Sequence, residues 1–180
     1  MAMVWEQLVE KLGMQAHPEG GFFVETYRAD EEVAGGALPA RFSATPRAFS
    51  TAILFLIPAG HVSALHRIAQ DEVWHFYAGS PLVVEVLTDG EDGPSSSALL
   101  LGSDLFAGQA VQGVVKAGAW FGAHLADEDA GPEAYALVGC TVAPGFDFAD
   151  FELAKADEMV AKFASVPGLD EALLRRMCAA

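Results

Sequence analysis

Short apolar runs separated by Gly, Pro and acidic residues set the rhythm of this chain. Phe22 to Arg28 alternates as a strand, placing Glu25 and Tyr27 on one face and Thr26 and Arg28 on the other. Phe49 to Ile57 is apolar on both faces, which predicts a strand buried between layers. Pro81 to Leu87, Ala98 to Leu101 and Tyr135 to Ala143 read as further strands. Asp30 to Pro46 and the small polar stretch Glu91 to Ser97 read as surface loops. Three segments carry a helical period instead. Val4, Trp5, Leu8, Val9 and Leu12 form a stripe stopped by Gly13. Met159, Val160 and Phe163 mark a helix over Asp157 to Phe163, and Leu169 to Met177 has acidic residues first and Arg175 and Arg176 last, as the helix dipole favours. About eight or more short strands with helices at the ends predict an all-β fold, a barrel or a double-sheet jelly roll. No repeat or linker interrupts it, so residues 1–180 are expected to form a single domain.

One stretch breaks the apolar rule. Gly60 to Gly79, GHVSALHRIAQDEVWHFYAG, holds three of the five histidines and the pair Asp71 and Glu72. It reads as two strands joined by a turn at Ala69 to Asp71. Alternation puts His66 and Ile68 on one face of the first strand. It puts Glu72, Trp74 and Phe76 together on the second, with Val73, His75 and Tyr77 opposite. Polar, titratable and aromatic side chains sharing an inward face predict a lined cavity in which His66 and Glu72 face each other across a hairpin. A lone His66 would be read as a hydrogen-bonded structural residue; its company changes that reading.

Other segments add candidates. His17-Pro18-Glu19-Gly20-Gly21 is a turn cluster. Arg28 is either a solvated strand end or a rim residue that holds an anionic ligand group. Arg41 and Arg47 read as solvated charge. Gln112, polar within an apolar segment, either binds a ligand or satisfies a buried backbone group. Trp120 and Phe121 follow a turn at Gly118, and alternation from Phe121 puts His124 outward. After the Pro144-Gly145 turn, Phe146, Phe148, Phe151 and Leu153 cover something large.

Composition narrows the partners. The hydrophobic fraction of 52% fits a folded chain with a sizeable core. A formal net charge of −15 argues against sequence-independent binding to nucleic acid or to an anionic membrane. Cys140 and Cys178 lack metal spacing and read as unpaired thiols of a reducing cytoplasm. The start MAMVWEQLVEK has no signal-peptide pattern, and no apolar run reaches the ~20 residues of a membrane helix. Asparagine is absent, which excludes N-glycosylation.

Gly60, His66, Glu72 and Gly79 match the first motif of the cupin superfamily, G-x5-H-x-H-x3-E-x6-G, with Ile68 where metal-binding cupins have a second histidine. Lys116 to Phe121 is similar to the second motif, P-x-G-x2-H. Gly118 matches there, Lys116 replaces the proline and Phe121 replaces a third histidine. Together with HPEGGFFVETYR, FSTAILFLI, AWFGA and LVGCTVAPGFDFADFEL, these motifs resemble the fifth cupin family, a domain of unknown function, from about His17 to Leu153.

The resemblance implies a cupin double-stranded β-helix (jelly-roll barrel) with short N- and C-terminal helices, and homodimers. It implies a site at the barrel mouth. His66, Glu72 and Tyr27 are the catalytic candidates there, and Arg28, Trp74, Phe76, Gln112, Trp120 and Phe121 the ligand-binding ones. It implies a small-molecule ligand, no cofactor and no stoichiometric metal, because Ile68 and Phe121 cannot donate to an ion. Three function classes follow. One is a metal-independent isomerase or epimerase on a sugar-type or carbonyl substrate, with His66 as base, Glu72 orienting it and Tyr27 returning the proton. The others are a metal-dependent cupin oxygenase and a non-catalytic small-molecule-binding cupin.

Overall fold

The computed structural model describes residues 3–42, 45–127 and 129–178. In chain order the elements are α1 (Val4–Leu12), β1 (Gln15–Ala16), β2 (Phe22–Arg28), β3 (Glu32–Val33), β4 (Arg47–Ala48), β5 (Thr51–Pro58), β6 (Ser63–Arg67), β7 (Glu72–Gly79), β8 (Leu82–Gly90) and β9 (Gly93–Leu101). There follow β10 (Gln112–Val115), β11 (Trp120–Leu125), β12 (Tyr135–Val142), β13 (Glu152–Leu153), α2 (Ala156–Phe163) and α3 (Glu171–Arg176). They build the expected double-stranded β-helix, a jelly roll of two sheets. One sheet runs β1-β2-β5-β12-β7-β10 and the other β13-β6-β11-β8-β9, with β3-β4 as a separate ribbon.

Alternation decides what each strand gives to which layer. On β8, Leu82, Val84 and Val86 point between the sheets. They meet Phe55, Ile57, Trp74, Leu101, Phe121 and Val138 in the inner core. Leu87 and Trp120 point the other way, into a second cluster with Met159, Phe163, Leu174 and Met177 under the C-terminal helices. At about 1.5–3 kcal/mol per buried large side chain, that outer cluster explains why α2 and α3 hold despite their short lengths. The Asp170 carboxylate caps α3 by accepting from Leu173 N–H at 2.7 Å. At the other end, Gly13 closes α1 in the left-handed region, and the Trp5 ring stacks on Phe22 with centroids 5.7 Å apart.

Several expectations are corrected. Residues Gly60 to Gly79 are not a hairpin: β6 and β7 lie in different sheets, so the turn between them crosses the sandwich. The polar stretch Glu91 to Ser97 is mostly strand. It belongs to β9, which pairs with β8 in an antiparallel ladder from Gly90↔Gly93 to Leu82↔Leu101. As an edge strand it needs no apolar face along its whole length. The segment Asp30 to Pro46 contains β3 and a short 3-10 turn at Gly35–Ala37. Arg47 is not solvated: it is 2% exposed and pairs with Asp150 at 2.9 Å.

Candidate functional site

Between the sheets, beside the packed core, lies a cavity of about 370 Å³. His66 reaches it from β6, Glu72 from the start of β7, and Cys140 and Val142 from β12. The loop between β1 and β2 adds His17 and Glu19. That loop is tied down twice. Gly20 N–H donates to the His17 carbonyl at 2.9 Å, and Ala64 N–H on β6 donates to the Glu19 carbonyl at 2.7 Å. Gly20 has φ +103°, and a Cβ there would collide with the Val62 carbonyl, so only glycine lets the loop close this tightly.

The polar groups form a chain. The Ser63 hydroxyl donates to Glu19 Oε1 at 2.7 Å. Glu19 Oε2 lies 3.3 Å from His66 Nδ1 and 3.4 Å from His17 Nδ1. His66 Nδ1 is also 2.8 Å from the Ala64 carbonyl, which can only accept. The proton therefore sits on Nδ1, and Nε2 keeps the lone pair. His17 Nδ1 accepts from Glu19 N–H at 3.3 Å, which selects the opposite tautomer.

Burial dominates the acid–base behaviour. Desolvation pushes Glu19 up to about 7, against the pull of His17 and the Ser63 hydrogen bond. It pushes Glu72 up to about 7, against the charge of His66 and the hydrogen bond from the Cys140 thiol. It pulls His66 down, opposed by Glu72 and the Ala64 carbonyl, and pulls His17 down, opposed by Glu19. Cys140 is driven well above the ordinary thiol range, first by burial and then by Glu72. At neutral pH the histidines are thus neutral, while the two carboxylates sit near their midpoint.

Aromatic rings wall the remainder. Phe146, Phe148 and Phe151 meet edge to face, with centroids 5.0 to 6.1 Å apart. Phe23 packs edge-on against His17 at 4.6 Å. The loop bearing the three rings is pinned from beneath. The buried Arg47 binds Asp150, and Phe146 N–H donates to Thr51 Oγ1 at 3.0 Å.

Of the residues named from the sequence, His66, Glu72 and Arg28 line this cavity together with Ile68. Tyr27 does not; it is 54% exposed. A β-bulge between Glu25 and Tyr27 shifts the phase of β2, so Glu25 and Arg28 share the cavity side instead. Arg28 is held by Glu25 through Nε at 3.0 Å and a second nitrogen at 2.7 Å. Gln112 is exposed on the edge strand β10, where its side chain bonds His75 Nδ1 at 2.9 Å. Trp120 faces the helices, with Arg67 4.5 Å above its ring. Trp74 and Phe121 are packed in the core, with Phe121 4.1 Å from the His66 ring, and Phe76 packs against that core. Glu72 does not orient His66: that geometry comes from Ala64 and Glu19. His17, Glu19, Glu25, Cys140 and Asp147 were not anticipated as lining residues. The one signal in the sequence was a carboxylate placed inside a tight His-Pro-Glu-Gly-Gly turn.

The donor set does not suit a transition ion. Ile68 lines the cavity and Phe121 backs His66 where metal-binding cupins carry histidines. Among the described residues, no group of three or more His, Cys, Asp or Glu is arranged to hold a metal. Among the described residues, too, no helix is long and apolar enough to cross a membrane.

The chain is similar to solved structures along nearly its whole length. A hypothetical protein from Leishmania major shares 30% identity and a TM-score of 0.81, covering 97% of this chain and 98% of its own. A protein from Shewanella oneidensis shares 30% identity and a TM-score of 0.79, covering 99% of each. A cupin 2 domain-containing protein from Halorhodospira halophila, at 16% identity and a TM-score of 0.51, covers 92% of this chain and 88% of its own, and shares the fold. Among curated proteins, none matches the chain. The family model described as cupin superfamily (DUF985) matches residues 6–154, and the chain belongs to that family.

Proposed function

We propose that the cavity binds a small molecule, and that the chain is a metal-independent isomerase or epimerase acting on a carbonyl substrate of sugar type. One observation carries this reading. His66 is held with a free Nε2 lone pair in the same cavity as Glu72, a carboxyl group pushed up to about 7. A neutral imidazole can take a proton from a carbon beside a carbonyl, and a half-protonated carboxyl can return one. Glu19, Ser63 and the Ala64 carbonyl fix the imidazole, while the three phenylalanines wall the cavity. Glu72 replaces Tyr27 as the acid, because Tyr27 is outside the cavity. A second reading, a binding protein without chemistry, draws on the predominantly apolar walls, which suit retention as well as turnover.

The test is proton exchange. The protein is incubated in D2O with a panel of ketoses, aldoses and amino ketones, in the presence of a chelator, and each compound is weighed by mass spectrometry. One deuterium gained beside the carbonyl, and lost with His66→Phe, supports the isomerase. Tight binding without exchange supports the binding protein instead. We also infer a homodimer through the outer face of the six-stranded sheet. Tyr77 is exposed there, its ring plane 5° from that of His75 at 6.4 Å. A solution mass near that of one 19.0 kDa chain excludes this assembly.

A further inference from the structure

The cavity's charges do not balance, and its walls are of one kind. Glu19 and Glu72 are each 8% exposed. Their nearest basic neighbours, His17 and His66, are both held neutral by burial. Among the described residues lining the cavity, Arg28 is the one permanent cation. Its guanidinium is taken by Glu25 and by the Phe146 carbonyl at 3.3 Å. Asp147, the remaining lining acid, pairs with Arg47 at 3.7 Å. Once ionised, the two carboxyl groups of the interior have no fixed counter-charge. Lining the same cavity, Phe146 stands at 81° to Phe148 and 73° to Phe151, which makes a corner of ring faces and edges. Ring faces are negative, and a cation set among them is attracted without being stripped of all compensation. An anionic ligand would meet the two carboxylates in a medium that screens them poorly.

We propose that the ligand is a small organic cation, a protonated or quaternary amine on an apolar body, with its charge between the Phe146–Phe148–Phe151 corner and the Glu19–Glu72 carboxylates. The proposal rests on the reading of this cavity as a small-molecule site and narrows it. On this assignment nucleotide sugars and other anions are poor ligands. An amino ketone or amino sugar would satisfy both the charge and the acid–base pair.

Three probes of one shape separate the possibilities: benzylammonium, benzyl alcohol and benzoate, titrated calorimetrically at about pH 8, above the midpoints of both carboxylates. Benzylammonium is expected to bind at least ~10-fold tighter than benzyl alcohol, and benzoate not at all. In Glu72→Gln the advantage of the cation over benzyl alcohol is expected to fall to about threefold or less, and a cooperative thermal transition reports that the variant is folded. Equal or tighter binding of benzyl alcohol or benzoate by the unmodified protein overturns the charge assignment and leaves the small-molecule site standing. No binding of any probe at tens of millimolar overturns both. An unchanged preference for the cation in Glu72→Gln and in Glu19→Gln also overturns the proposal, because the carboxylates would then not be its partners.

Discussion

Glu72 and Trp74 sit two residues apart on β7, share a face, and end in opposite environments. Trp74 is enclosed by Phe55 and Phe121 in the packed half of the interior. Glu72 opens onto the cavity with His66, Glu19 and Cys140. The backbone treats both halves alike, since β12 pairs Cys140 with Trp74 and Val142 with Glu72 in one continuous ladder. What separates them is the loop His17 to Gly21 and the Phe146–Phe151 turn. These bring polar atoms and rings to one half and leave space between them. A jelly roll therefore needs no special strand to make a site; it needs two connections that stop one half from filling. In the packed half the large side chains fill the space between the sheets. In the open half the chain holds two carboxylates at a cost that a core would not tolerate.

The largest expected effect tests the packed half. Phe121→Ala removes a ring that is 1% exposed and touches both Trp74 and His66. A loss of about 3–5 kcal/mol in chemical denaturation is expected from the cavity left behind. A loss below about 1 kcal/mol would mean that the interior around Trp74 is as loosely filled as the open half, and the contrast between them would collapse.

The contrast was only half legible from the sequence. The alternation around His66 and Glu72 puts both on the cavity side, because period two is a backbone property that holds along a strand free of bulges. Phe121 inward and Trp120 outward follow from the same rule, yet both had been given to the ligand. The error lay in what covers the outer face: α2 and α3 come from the far end of the chain and claim Trp120. Tyr27 was misplaced because a single inserted residue at the Glu25–Tyr27 bulge reverses the phase, and nothing in ETYR announces a bulge. Gln112 fell on an edge strand, where an outward amide is satisfied by His75 rather than by a ligand. Glu19 was hidden by its own turn. Pro18, Gly20 and Gly21 account for the local geometry, so the carboxylate between them reads as part of the turn. Its burial depends on Ser63 and Ala64, more than forty residues away in sequence.

A middle-sized effect tests the cost carried by the open half. Burial raises Glu72 to about 7 in the folded chain, well above an ordinary glutamate. A raised carboxylate favours folding while protonated. Its penalty therefore grows as pH climbs from about 4.3 to about 7 and is complete above that. The groups facing it are His66, Cys140 and Glu19. Of these, the Glu19 charge reinforces the penalty and the Cys140 hydrogen bond offsets part of it. Glu72→Gln is expected to stabilise the ligand-free protein by on the order of 2 kcal/mol at about pH 8 and to leave it nearly unchanged at about pH 4.5. Urea midpoints across that range measure it. A stabilisation independent of pH would show that packing, not charge, separates the variant from the parent.

The smallest expected effect places His66, whose side chain belongs to both halves. Its ring packs on Phe121 at 4.1 Å and on Phe151 at 5.3 Å, while Nε2 is the base of the proposed reaction. His66→Phe keeps both ring contacts. It loses the hydrogen bond to Ala64, and a buried acceptor left unpaired costs about 1–3 kcal/mol. Phenylalanine escapes the desolvation of a polar ring, so the lower end, near 1 kcal/mol at about pH 7.5, is expected. The size of the effect then changes with acidity. Burial pulls His66 below its ordinary value, so the stability of the neutral imidazole is full above about pH 6.5 and is lost as pH falls through the lower folded value. Glu19 and Glu72, which face it, are protonated over the same range and give a charged imidazole little support. The gap between parent and His66→Phe should therefore narrow toward about pH 5, while proton exchange stays lost at every pH. A pH-independent loss of several kcal/mol, with exchange retained, would instead assign His66 to the packed half and leave Glu72 without its base.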